Sequence, residues 1–176
     1  GSEMCIRDRN DDVYGFFVLL LLEYNLFSGS IPRSLCRRTD LKGLDLSRNM
    51  LSGKIPNCMG NLQGLAIMSI SSNQLSGAIP SSIALISSLF WLNLNKNNFT
   101  GEVPPELGNL QGLGVLDLGD NKLYGNIPNW IGKKLTSLVV LRLHKNNFTG
   151  RIPPSLCKNS NLQILDLAYN NLTGTI

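Results

Sequence analysis

Charge, histidine, cysteine and long apolar runs are all scarce in this 176-residue chain. Charged residues make up 16%, and the 16 basic and 12 acidic side chains are scattered, with no basic stripe and no aromatic-basic interleaving. That distribution argues against a nucleic-acid footprint. His144 is the one histidine, no serine sits on a GxSxG turn, and neither a metal-ligand cluster nor a GxGxxG loop is present. The chain is therefore expected to be no enzyme and to carry no cofactor and no metal. The longest apolar run, residues 16–22, stops at Glu23 and is too short to span a bilayer or to serve as a signal-peptide core.

What the chain does have is 43% apolar residues, enough for a sizeable core, and a period. Asn25, Asn49, Asn73, Asn97, Asn121, Asn146 and Asn170 are separated by 24, 24, 24, 24, 25 and 24 residues. Four residues after each Asn stands glycine, and three further on stands proline at Pro32, Pro56, Pro80, Pro104, Pro128 and Pro153. Apolar residues precede each Asn at minus eight, minus five and minus three, as in Leu41, Leu44 and Leu46 before Asn49. This is LxxLxLxxN repeated seven times. The LxL alternation has the period of a strand with one buried face, and the Gly and Pro enforce turns. Such a unit cannot bury its leucines alone, so neighbours must stack and their strands must align as a parallel sheet. The asparagines read as scaffold: where the strand turns into the core, a buried carboxamide both donates and accepts for backbone groups that have lost ladder partners.

LxxLxLxxN followed by xL(S/T)GxIPxxLGxLxxL resembles the leucine-rich repeat, and the Gly-x-Ile-Pro tail marks the plant-specific subtype. The resemblance covers roughly residues 17–176 and implies an α/β solenoid: a right-handed curved superhelix, a concave parallel sheet, short second strands and 3₁₀ turns on the convex side. Two stretches, "IPRSLC…LDLSRNMLSGKIPNC" and residues 125–176, are similar to the membrane-proximal repeats of plant receptor-like proteins, including the ethylene-inducing xylanase receptor group. Receptor-like kinase ectodomains share such repeats. The resemblance implies a fragment of a cell-surface receptor ectodomain on the outer side of the plasma membrane, working in defence or development. Its partners would be a peptide, glycan or protein ligand and a co-receptor kinase. The alternative is a secreted protein similar to polygalacturonase inhibitors, which blocks a microbial enzyme in the cell wall.

The 25-residue step between Asn121 and Asn146, with "GKKL" in place of "GNL", is expected to bulge at Lys133 or Lys134 on the convex side and to leave the sheet intact. Cys36 and Cys58 lie eleven and nine residues after their ladder asparagines, in adjacent repeats. With strands about 4.8 Å apart, their phase permits a disulfide, against two reduced core cysteines as the alternative. Cys157 has the phase of Cys36, and its partner would fall at position 179 of a longer chain. The last repeat stops before its proline, so the array is expected to be truncated at both ends.

The first nine residues fit no repeat phase, and "EMCIRDR" back-translates through ATG TGT ATA AGA GAC AG, a transposon adaptor end. Residues 1–9 are therefore set apart as a disordered adaptor-derived leader or a natural one, and residues 10–176 as about seven repeats. In the weak first repeat, Leu19 and Leu21 occupy positions that other repeats are expected to fill with outward polar residues.

Function should lie on the outward columns of the sheet. Between the leucines the column reads Leu21, Asp45, Ser69, Asn93, Asp117, Arg142, Asp166, and two residues later Glu23, Ser47, Ser71, Asn95, Gly119, His144, Ala168. The candidate ligand surface is Asn93, Asn95, Asp117, Arg142, His144 and Asp166, with Trp91 as aromatic anchor and Arg142 spaced to pair with Asp117 and Asp166. A solvated charge ladder is the alternative. Three sequons, beginning at Asn98, Asn147 and Asn171, directly follow ladder asparagines and fit an extracellular glycoprotein, although "NNFTG" is also what the repeat spells.

Overall fold

The computed structural model describes residues 18–175, so the expected leader and the opening of the first repeat lie outside the described residues. Each repeat contributes one strand to each of two seven-stranded parallel sheets. The concave strands are Val18–Leu21, Leu41–Asp45, Ile67–Ser69, Trp91–Asn93, Val115–Asp117, Val140–Arg142 and Ile164–Asp166. The second strands run from Ser28–Gly29 to Asn171–Leu172 and form one flank; in the central repeats, at four or five residues, they are no shorter than the three-residue concave strands.

Sequence period becomes core through side-chain alternation. Leu44, Met68, Leu92, Leu116 and Leu141, the first leucine positions of five successive strands, are fully buried. Each contributes on the order of 2 kcal/mol by leaving water. Their equivalent Leu165, in the last described strand, has a strand neighbour on one side only and is 41% exposed. Burial in this array comes from the neighbouring repeat.

The asparagine column supplies polar continuity. Asn97 Nδ2 donates to the Leu94 and Asn95 carbonyls of its own turn and, at 3.0 Å, to Ile70 O of the preceding repeat. Its Oδ1 accepts from Leu75 N at 3.0 Å, so one side chain ties two coils together. Asn49, Asn73, Asn121, Asn146 and Asn170 repeat the pattern. Asn25 bonds only within its own turn and is exposed. The residue before each ladder Asn turns through the left-handed region at φ 50 to 59°, and none of these is glycine.

On the convex side the prolines precede every helical turn, at φ between −59 and −73°, close to the value their ring imposes. Four turns are 3₁₀: Arg33–Arg37, Asn57–Asn61, Ser81–Leu85 and Pro105–Asn109. The last two, Asn129–Lys134 and Pro154–Cys157, are α-helical. The extra residue of the 25-residue step does not bulge; it is wound into the α-helix that contains Lys133 and Lys134. Val140, Leu141 and Arg142 keep unbroken register with Val115, Leu116 and Asp117. Cys36 and Cys58, on adjacent 3₁₀ turns, are joined by a disulfide with Cα atoms 5.6 Å apart. Just after the first of these turns, the Arg38 guanidinium forks onto Asp40 at 2.9 and 2.8 Å, and this hydrogen bonding holds the Asp40 carboxyl below its ordinary range.

Candidate functional site

Three outward columns cross the concave sheet. The column just before the first leucine holds Leu19, Gly43, Ile67, Trp91, Val115, Val140 and Ile164 in direct strand register. Leu19, Ile67, Trp91 and Ile164 are 53, 45, 42 and 43% exposed, so an apolar stripe runs the length of the sheet. Trp91 stands out in the sequence by residue type alone, whereas Ile67, Val115, Val140 and Ile164 are ordinary singly. They become a stripe only when this third column is aligned on the ladder as the other two were. The same alignment corrects the expectation for Leu19: an apolar residue is the rule in its column. Leu21, 57% exposed, does stand in a column that is otherwise polar.

The middle column is largely occupied with its own backbone. Asp45, Asn93, Asp117 and Asp166 each accept, through Oδ1, the N–H two residues ahead, at 2.8 to 3.2 Å. A short acceptor side chain here satisfies a donor where the strand ends. Arg142 replaces that acceptor in its repeat, and its guanidinium is left partly exposed.

The candidate polar residues meet in two linked groups. In the first, the buried Asp117 carboxylate receives Asn95 Nδ2 at 3.1 Å and the Gly119 N–H at 3.1 Å, and Arg142 stands 3.6 Å away. A buried carboxylate is tolerable because it is paired and hydrogen-bonded. Arg142 pairs with Asp117 and not with Asp166, although both are its neighbours in register. Asp166 is instead 3.2 Å from His144 Nδ1, without the alignment of a hydrogen bond.

The second group centres on His144. Its Nε2 lies 3.4 Å from Asp120, which Lys145 also approaches at 3.4 Å. The ring lies over Gly119, where a Cβ would overlap it. Asp120 and Lys145 have no place in the outward columns, since both occupy the left-handed turn before the ladder Asn, and a column reading passes over them. The Asn93 side chain accepts from Asn95 N within its own strand end and makes no hydrogen bond to the other members of the patch. The result is an apolar stripe flanked by a charged strip in which Arg142 retains 40% side-chain exposure.

Among the described residues no group of three or more His, Cys, Asp or Glu side chains is placed to hold a metal ion, and no helix is long and apolar enough to cross a membrane.

Comparison with known proteins agrees with this architecture. The leucine-rich repeat family model matches residues 40–62, 88–110, 112–134, 137–159 and 161–176, more than half the chain. Receptor-like protein 32 of Arabidopsis thaliana is 54% identical over 39 residues, covering 22% of this chain and 4% of that protein. Receptor-like protein EIX2 of Solanum lycopersicum is 43% identical over 53 residues, covering 29% of this chain and 5% of that protein. Among solved structures, the Arabidopsis receptor kinase HAESA, crystallised with the peptide hormone IDA and the co-receptor SERK1, superposes with a TM-score of 0.85 at 42% identity. That match covers 90% of this chain and 26% of the HAESA chain. The chain thus spans a small fraction of the receptor-like proteins it matches and about a quarter of the kinase ectodomain.

Proposed function

From the premise that this chain belongs to the leucine-rich repeat family and has the fold of plant receptor ectodomains, we propose that it is a stretch of a cell-surface receptor that binds an extended peptide or protein segment on its concave sheet. The observation that carries this is the contrast between columns. The inward leucines, ladder asparagines, glycines and prolines recur from repeat to repeat, whereas two outward columns change and the third is an exposed apolar stripe beside Arg142. A ligand crossing the strands would rest apolar side chains on Ile67, Trp91, Val115 and Val140 and set an acidic group against Arg142. Aromatic and arginine side chains are the residue types that most often anchor interfaces. The Cys36–Cys58 disulfide supports this reading, since such bridges persist in oxidising surroundings like those outside the plasma membrane. The parent protein would pass occupancy of this surface to a co-receptor kinase.

The test is selection of linear peptides from a random display library on the immobilised chain, followed by affinity measurement. Trp91→Ala and Arg142→Ala should each weaken the selected peptides about tenfold or more, as anchor residues do. Leu85→Ser, at an exposed convex position, should leave affinity unchanged. Peptides that bind both concave variants as tightly as the unaltered chain would overturn the proposal.

A further inference from the structure

We propose that His144 is a positioning residue of the concave surface: by drawing Asp166 away from Arg142 it keeps the Arg142 guanidinium available to an acidic group of the ligand, and it does so in its protonated form. Resting on the reading that this face binds a peptide or protein segment, this role adds a means of regulating that site.

Arg142 stands in strand register between Asp117 and Asp166, so either carboxylate could take it. The Asp117 carboxylate already accepts from Asn95 Nδ2 and the Gly119 N–H, and it approaches Arg142 only to 3.6 Å. That distance makes an ion pair without a hydrogen bond. Among the described residues the guanidinium makes no hydrogen bond, and its side chain is 40% exposed. An unused fork of donors on a binding face is suited to a carboxylate from outside. His144 is what keeps Asp166 from closing on it.

The imidazole lies between two carboxylates, with Nδ1 3.2 Å from Asp166 and Nε2 3.4 Å from Asp120. Gly119 makes this position possible, since a Cβ there would overlap the ring. Nδ1 is buried without a hydrogen-bond partner, and Asp166 is the acceptor it faces. A neutral imidazole has one N–H and one lone pair, so it serves only one of the two carboxylates. The imidazolium has two donors and serves both. Histidine is the side chain that changes between these forms near pH 5 to 8.

Around the ring stand Asp117 and Asp120 from the preceding repeat, Arg142 and Lys145 from its own, and Asp166 from the next. Tyr169, the counterpart of Lys145 one repeat on, is exposed and neutral in this range. With His144 protonated, three cations face three carboxylates. When the proton leaves, Asp166 loses its partner and turns to Arg142, and the group carries one net negative charge. Both changes oppose an acidic ligand, so its affinity should fall as pH rises.

His144 is the one histidine of the chain, so its ring signals in NMR spectra are unambiguous. The first test uses the full chain without ligand. The Arg142 guanidinium carbon signal, identified by its loss in Arg142→Lys, should move together with the His144 ring between about pH 5.5 and about pH 7.5. In Asp166→Asn it should stay still. An Arg142 signal that ignores the His144 titration, or follows it equally in Asp166→Asn, overturns the proposal. The second test titrates a library-selected peptide that carries one Glu and no His. It should bind about fivefold more tightly at the lower pH, the worth of an ion pair near the surface, and a counterpart with Gln in place of that Glu should not. His144→Gln should bind weakly at both pH values and Asp166→Asn tightly at both. A pH ratio that persists in His144→Gln overturns the proposal, as does Asp166→Asn binding no more tightly than the unaltered chain at the higher pH. Absence of any binding peptide counts against the concave reading alone, and the ligand-free spectra then decide the role of His144.

Discussion

At the scale of single residues, the ladder asparagines show how identical letters differ in consequence. Asn97→Ala would strand the buried Leu75 N–H and take one donor from each of the Ile70, Leu94 and Asn95 carbonyls, which keep Asn73 Nδ2, Asn121 Nδ2 and the Ser72 N–H. The expected cost is about 1–3 kcal/mol by urea unfolding, the range for a buried polar group that loses its partner. Asn25→Ala removes only exposed bonds within one turn and should cost less than ~0.5 kcal/mol. The residue before each ladder Asn carries a cost in the opposite sense. Lys96 sits at φ 52°, which disfavours any side chain with a Cβ. Lys96→Gly relieves that strain against some added unfolded-chain entropy and should stabilise by about 0.5 kcal/mol, whereas Lys96→Val should destabilise. The ladder was legible in sequence because its period is explicit and a carboxamide has an evident use at a strand end. The left-handed turn was not, because Tyr, Arg, Ser, Lys and Asp occupy it and carry no common signal.

At the scale of elements, prolines and cysteines set the convex side. One Pro of each repeat precedes a helical turn, and the phase of Cys36 and Cys58 puts them on facing turns. The bridge closes a separation of 22 residues, so it should stabilise by about 3 kcal/mol through restriction of the unfolded chain. Thermal unfolding with and without reductant checks this: reductant should lower the midpoint of the unaltered chain and leave a Cys36→Ala/Cys58→Ala double variant unmoved. An equal shift in both would remove the bridge from the account. The 25-residue repeat marks where reading by period reaches its limit. An inserted residue between fixed flanks can be accommodated as a bulge or as tighter winding, and counting does not separate them. The structure takes the α-helical solution at Asn129–Lys134, which gives the added residue a helical hydrogen-bonding pattern in place of an unpaired loop position.

At the scale of the whole molecule, the chain is a one-dimensional array in which each repeat owes its burial to the next, as the fully buried Leu141 and the partly exposed Leu165 show. Across the described residues the solenoid was legible because the repeat fixes every inward position at once. The candidate site was legible only in part. Polar outward residues announce themselves against a leucine background, so Asp117, Arg142 and His144 stood out, but their pairing depended on side-chain reach that spacing does not carry. Arg142 chose Asp117, and His144 lies within 3.4 Å of Asp120 and 3.2 Å of Asp166. Ile67, Val115, Val140 and Ile164 were hidden among so many core apolar residues.

Trp91 and Trp130 supply a direct reporter of the central claim that recognition occurs on the concave sheet, since Trp91 lies on that sheet and Trp130 in the convex helix Asn129–Lys134. In a Trp130→Phe chain, titration with a library-selected peptide free of Trp and Tyr should shift or quench Trp91 emission with the same midpoint as the binding isotherm. Saturated binding with Trp91 emission unchanged, accompanied in the unaltered chain by a change arising from Trp130, would contradict the claim.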